Sequence, residues 1–120
     1  MLAVFDGHND ALTRDDHALL VSGRAGGHLD LPRMRAGGVR GGIFSVFTPS
    51  AKDQEPVAHT VAAADATAVA GRLLALERAG AVRLGRAGAD LDRAFVGDGP
   101  PVAVLHLEGA EAIDPGLEAL

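Results

Sequence analysis

Two short apolar runs constrain what this chain can fold into. Leu2-Ala3-Val4-Phe5 leads into Asp6-Gly7, and Val102-Ala103-Val104-Leu105-His106-Leu107 leads into Glu108-Gly109. Both are short and apolar throughout, as strands covered on both faces are. A third run, Val39–Phe47, has Ile43, Phe44, Val46 and Phe47 as its apolar body and stops at Thr48-Pro49-Ser50. Gly41-Gly42 near its start would let a neighbouring backbone come close. Helical stretches separate these runs, and strands alternating with helices imply a parallel sheet with right-handed crossovers.

Local signals set the expected elements. Met1–Phe5 reads as the first strand and Asp6–Arg14 as a loop. Asp15-Asp16 open a helical turn through Leu19-Leu20-Val21. Asp30 suits the N-cap of a short helix, with Pro32 in its first turn and Gly37-Gly38 as its stop. The longest helix is expected over Glu55–Ala79, with an apolar stripe of Val57, Val61, Ala64, Ala68, Val69, Leu73 and Leu76. Gly71 inside it costs up to ~1 kcal/mol against alanine, and close packing is the reason offered for it. Ala81–Leu84 reads as a minor strand, Ala89–Phe95 as a short helix, and Gly97–Pro101 as a break. Ile113–Leu120 is expected to start another helix, capped by Asp114 with Pro115 at its first position.

The candidate chemistry gathers at one rim. In extended backbone, residues two apart point to the same side, so His8 and Asp10 can face one point beyond the first strand. Imidazole nitrogen and carboxylate oxygen both suit zinc. Glu108, following a later strand, would reach the same rim, because parallel-strand enzymes gather their chemistry at the carboxyl ends of the strands. A plain turn is the other reading of Asp6-Gly7-His8-Asn9-Asp10, since Asp-Gly and Asn-Asp are ordinary turn dipeptides. Asp6 is expected to support the turn or a ligand, and Asn9 to fix the turn. His106 is read as a buried, hydrogen-bonded core histidine. His17, His28 and His59 are read as surface residues.

Composition narrows the partners. Hydrophobic residues make up 48% of the 120-residue chain, enough for a core, while aromatics make up 3%, with no Trp or Tyr. That argues against aromatic platforms for nucleic acid or sugar. The net charge of −5, with no basic cluster, makes nucleic acid and anionic membranes poor partners. Cysteine is absent, so disulfides and thiolate metal sites are excluded. With neither a leader pattern nor a spanning run, the cytoplasm is the expected location.

The motifs, taken together and in order, resemble the membrane (renal-type) dipeptidase family, peptidase family M19. Asp6-Gly7-His8-Asn9-Asp10 resembles its opening motif and His28 through Val39 its second block. Gly41-Gly42-Ile43-Phe44-Ser45 resembles its next strand, and His106-Leu107-Glu108-Gly109-Ala110 its bridging-carboxylate motif. The resemblance implies a (β/α)8 TIM barrel of the metal-dependent hydrolase type, with two zinc ions and a dipeptide substrate. It implies that His8 and Asp10 bind one zinc, and that Glu108 bridges both and is catalytic. It also implies that two histidines and a proton-moving aspartate lie on later strands, beyond this chain. The family often has Gln and an aromatic residue where Ile43-Phe44-Ser45 stand, which leaves substrate preference open.

A complete barrel of this type typically runs to about 250 residues. Residues 1–120 are therefore expected to form one incomplete barrel domain, carrying about three of eight strands. Inner faces built from Val4, Phe44 and Val102 would lack their packing partners, and a sheet edge would stay open. Such a chain is expected to be inactive alone and to aggregate, form homo-oligomers through its edges, or require its missing C-terminal part. The alternatives are a non-catalytic product, or a related barrel hydrolase acting on another small amide.

Overall fold

The computed structural model describes residues 2–49, 57–97 and 99–118. The expected roles of Met1, Ser50, Glu55, Pro56, Asp98, Ala119 and Leu120 lie outside those residues. The elements run β1 (Val4–Asn9), a 3₁₀ turn (His17–Leu20), α1 (Leu31–Gly37), β2 (Val39–Val46), α2 (His59–Arg78), β3 (Arg83–Leu84), α3 (Gly88–Ala94) and β4 (Val102–Leu107). The four strands form one sheet in the order β1-β2-β4-β3, and every pairing is parallel. This is the α/β architecture expected of the N-terminal part of a (β/α)8 barrel. Among the described residues, no helix is long and apolar enough to cross a membrane.

Capping fixes the ends of α1 as the sequence implies. The Asp30 side chain accepts the Arg33 amide at 2.8 Å, and Gly38 ends the helix in the left-handed region at φ 73°. Asp30 is buried, and its second oxygen accepts the Arg24 amide at 3.1 Å. β2 starts one residue after that glycine. Gly41 and Gly42 there do let neighbours approach. A Cβ on Gly41 would lie 2.5 Å from the Val102 carbonyl oxygen and 2.7 Å from the Phe5 ring. On Gly42 it would lie 3.1 Å from the Asp6 Cβ.

β1 departs from expectation. It runs from Val4 through Asn9, so Asp6–Asn9 are strand rather than loop. Pairing with β2 overrides the local turn signal of Asp6-Gly7. The strand is not covered on both faces: Val4 is 39% exposed, and in β4 Leu105 and Leu107 are also exposed. β1 and β4 are buried less than their composition suggests, because burial depends on neighbours as well as on sequence.

The core lies between the sheet and its helices. Phe44 and Val46 of β2 and Ala103 of β4 pack in one cluster with Leu31 and Met34 of α1 and with Val69 and Leu73 of α2. Phe44 is therefore on the helix-facing side of β2 and not on a barrel-interior face. By strand alternation, Ile43 and Ser45 take the other face.

The buried stripe of α2 also differs from the expected one. Ala62, Val69 and Leu73 are buried, and Ala66 and Leu76 pack against the core. Val61, Ala64 and Ala68 are exposed. Alanines all round this helix make several faces look equally apolar, so the expected stripe leaves the buried face at Val61, Ala64 and Ala68 but matches it at Val69, Leu73 and Leu76. Close packing is not the reason for Gly71, since a Cβ there would meet no atom within 4 Å. At the other end of the chain, Ile113–Glu118 form turns rather than a helix. Asp114 accepts the Leu117 amide at 2.8 Å through its carbonyl and the Glu118 amide at 3.0 Å through its carboxylate. Leu117 then sits at φ 56°, which no right-handed helix continues through.

Two expectations follow. Gly71→Ala should raise the stability of the chain by about 0.5–1 kcal/mol, measured by denaturant unfolding, because helix entropy improves and nothing clashes. The second concerns acid. The Arg33 amide, with help from the Arg24 amide and both guanidinium groups, holds the Asp30 carboxyl below its usual value. The folded value is depressed, so this stabilisation is present above the unfolded carboxylate range near ~3.9 and is lost as pH falls through the folded value. In Asp30→Asn, which keeps a capping oxygen but cannot ionise, unfolding midpoints should fall less steeply below about pH 4 than in the parent chain.

Candidate metal centre

β1 pairs irregularly with β2, and this aims His8. Asp6 is opposite Gly42 and Asn9 opposite Phe44, so Gly7 and His8 share the single position of Ile43. Such a bulge re-aims a side chain while the strand continues. Asn9 locks the geometry on both sides. Its Nδ2 donates to Asp6 Oδ2 at 2.9 Å and to the Ile43 carbonyl at 3.1 Å, and its Oδ1 accepts the Ala11 amide at 3.2 Å. Asp6 also accepts the His8 amide at 3.3 Å, so Asp6 and Asn9 both support the bend.

Two arginines hold the next stretch from behind. Arg24, buried, donates through Nη2 to the Ala11 carbonyl at 2.5 Å. Its Nε lies 3.6 Å from Asp16 Oδ1, and burial pulls this guanidinium below its usual value while Asp16 opposes that. Arg72 of α2 reaches the Leu12 carbonyl at 2.6 Å. The segment after β1 is thus tied to the α1 approach and to α2.

Glu108 reaches the rim from the other side. β2 and β4 pair in register from Gly41↔Val102 to Val46↔Leu107, and the Glu108 amide adds a bond to the Val46 carbonyl at 2.9 Å. Ser45 is paired with His106, and Glu108, two residues on, shares the face of His106.

These supports bring His8, Asp10 and Glu108 together. His8 Nε2 lies 3.2 Å from Asp10 Oδ1 and 3.3 Å from Glu108 Oε2. Neighbouring ligand atoms on a tetrahedral zinc shell of radius ~2.0–2.1 Å are about 3.3 Å apart, and each carboxylate taken with the imidazole matches that spacing; the set of three whose donor atoms lie mutually within 4.8 Å is His8, His106 and Glu108, without Asp10. The His8, Asp10 and Glu108 side chains are close to half exposed.

Two further residues, His106 and Ser45, stand at this point. His8, His106 and Glu108 each offer an atom within 4.8 Å of the others, and His106 is exposed, not buried. Its hydrogen bond is to Ser45: Oγ lies 3.1 Å from His106 Nδ1. Ser45 is itself fully buried and also lies 3.2 Å from His8 Nε2 and 3.3 Å from His8 Nδ1. The sequence signal for Ser45 was available: it is the lone polar side chain among Ile43, Phe44, Val46 and Phe47, on the opposite parity to the core-facing Phe44 and Val46. The other histidines stand apart. His17 Nδ1 is 3.0 Å from the Arg14 carbonyl, His59 Nδ1 is 3.1 Å from that of Glu111, and His28 is exposed.

A parallel α/β sheet thus brings imidazole and carboxylate groups close together at its carboxyl rim, an arrangement that could hold a metal ion. The family model for membrane dipeptidase, peptidase family M19, matches residues 1–120, and the chain belongs to that family. Two solved structures are closely similar. One is a dipeptidase, a metallopeptidase of family M19, with 36% identity and a TM-score of 0.85, covering 98% of this chain and 40% of that one. The other is a metallopeptidase from Rhodobacter sphaeroides, liganded with a phosphinate mimic of the dipeptide L-Ala-D-Ala. It is 35% identical with a TM-score of 0.86, covering 98% of this chain and 41% of that one. An uncharacterized protein of the PQQ-III 3′ region of Acinetobacter calcoaceticus is 47% identical over 55 residues, 40% of this chain and 18% of that protein. The chain thus spans about two fifths of the solved relatives and under a fifth of the curated one.

Asn9→Ala should uncouple the bend from β2. The Ile43 carbonyl and the Ala11 amide lose their partner, and buried groups left unpaired cost about 1–3 kcal/mol. A drop of that size in unfolding free energy, measured in urea, is expected; no change would mean that the bend holds without this side chain.

Proposed function

We propose that this chain supplies the first half of a two-zinc dipeptidase site, with His8 and Asp10 on one zinc and Glu108 bridging both. The observation that carries the reading is the grouping of both carboxylates around one imidazole nitrogen, at 3.2 and 3.3 Å from His8 Nε2. Imidazole and carboxylate are ligand types that zinc takes. Family resemblance supplies the remainder: two histidines and an aspartate on later strands. The proposed substrate is a dipeptide, a choice supported by the dipeptide mimic bound to the Rhodobacter relative.

When bound, the metal pair supplies a water that ionises near pH ~7 and polarises the scissile carbonyl. The chain's own residues hold that chemistry in position. His8 must offer Nε2 unprotonated, so binding weakens in acid. Asp10 contributes negative charge from the same side. Glu108 has two oxygens and can serve two cations at once, which a neutral amide cannot balance.

We also propose that residues 1–120 form one incomplete barrel domain that does not turn over dipeptides alone. β1 is paired on one side only among the described residues, Leu105 and Leu107 are exposed, and the second metal would have only Glu108. An open apolar edge of this kind pairs with other chains, so the chain is expected to self-associate unless later strands cover it.

Metal titration tests the ligand assignment. Glu108→Ala and Glu108→Gln should each lower zinc affinity by at least tenfold, equivalent to about 1.4 kcal/mol. Unchanged affinity in both variants, measured by chelator competition and elemental analysis, would remove Glu108 from the site.

A further inference from the structure

A second imidazole stands at the rim. His106 precedes Glu108 by two residues, so both side chains leave the same face of the sheet. β4 is otherwise apolar from Val102 to Leu107, and a histidine exposed on the rim face does not serve to fill a core. Ser45 of β2 is paired with His106, and its small side chain leaves the rings of His8 and His106 to face each other across it. Their centroids are 6.0 Å apart and their planes meet at 73°. Ser45 Oγ, 3.1 Å from His106 Nδ1, steadies the His106 ring by one nitrogen and leaves the other for an ion. One donor atom from each of His8, His106 and Glu108 lies within 4.8 Å of the other two, and all three side chains are exposed. Opposite donors on a metal shell of radius ~2.1 Å span about 4.2 Å, so closing onto one ion takes shifts of under about 1 Å, which exposed side chains can make.

We propose that His106 is itself a metal ligand, so that two imidazoles and one carboxylate of this chain hold a single divalent ion of the zinc kind. The inference rests on His8 and Glu108 being ligands, as proposed above, and adds to them a donor from β4. Two histidines and a glutamate are a donor set that zinc takes in catalytic sites, with one position kept for water. Asp10, with Oδ1 3.2 Å from His8 Nε2, is a further oxygen beside this set. One ion then finds its donors between His8 and Glu108 and needs none from later strands. A histidine that only stood beside the metal would leave a different mark. Loss of a supporting partner typically costs ~10–100-fold in affinity, and the number of ligands stays the same.

The test loads the whole chain with Zn²⁺ alone, measures affinity by chelator competition, and counts coordinated imidazoles by X-ray absorption at the zinc edge. The parent chain should show two imidazoles per zinc, those of His8 and His106. His106→Ala and His106→Gln should each show a single imidazole and lose more than about 100-fold in affinity, beyond what a supporting partner accounts for. Glutamine keeps a polar group to meet Ser45, so a role confined to that hydrogen bond would be rescued by it. Parent-like binding in His106→Gln therefore overturns the proposal. So does a single imidazole per zinc in the parent, or a count unchanged in both variants, whatever the loss of affinity. His8→Ala separates this from the reading beneath it: parent-like zinc binding in that variant overturns the metal site, whereas lost binding there with parent-like His106→Gln overturns only the part given to His106.

Discussion

Everything at the rim depends on how closely β2 can be approached from both sides. Gly41 is paired with Phe5 on one flank and Val102 on the other, and a single methyl there would collide with both. Gly42 clears room for Asp6 and Asn9 in the same way. With these two side chains absent, both neighbours approach β2 closely, β4 in continuous register and β1 with two offsets. The candidate site side chains lie at the far end of these pairings. Ser45 is paired with His106, and Glu108 is held further on by the hydrogen bond its backbone N–H donates to the Val46 carbonyl. The glycines touch none of the candidate ligands, yet they set where each one stands.

The segment after β1 is held by a different device. Its backbone carbonyls at Ala11 and Leu12 are taken by Arg24 and Arg72, and its amide at Ala11 by Asn9. Backbone groups that leave a sheet need partners, or they carry a desolvation cost. Here two guanidinium donors and one side-chain amide oxygen supply them, from three separate parts of the chain. Asp10 is therefore positioned by anchored backbone although its own side chain is half exposed.

Much of this was legible in the sequence, and the exceptions have physical causes. The cap at Asp30 and the stop at Gly37-Gly38 are local chemistry, and local chemistry can be read directly. The approach of the Asp10 and Glu108 carboxylates to His8 follows from parallel topology, which places strand ends on one side. β1 was drawn too short because Asp6-Gly7 reads as a turn, whereas pairing to β2 keeps it extended. The buried stripe of α2 matches at Val69, Leu73 and Leu76 and departs in the first half of the helix, because a helix rich in alanine has no clear polar face. The terminal helix failed at Leu117, whose left-handed backbone no propensity scale anticipates. Phe44 was put on the wrong side of its strand and Ser45 was passed over, two consequences of one error in parity.

Parity also governs how this site can vary. Across the β1–β2 pairing, Arg40 is an extra residue on one strand and Gly7-His8 carry an extra residue on the other, so the two offsets cancel. A Cβ at Gly7 would meet nothing within 4 Å, so the spot tolerates a change of side chain. It does not tolerate a change of count. Removing one residue there would straighten the strand and send His8 to the opposite face, since side chains alternate along a strand. The opening motif is thus a spacer as much as a set of candidate ligands: substitutions can drift through it, but the number of residues between Asp6 and Asn9 is its fixed quantity.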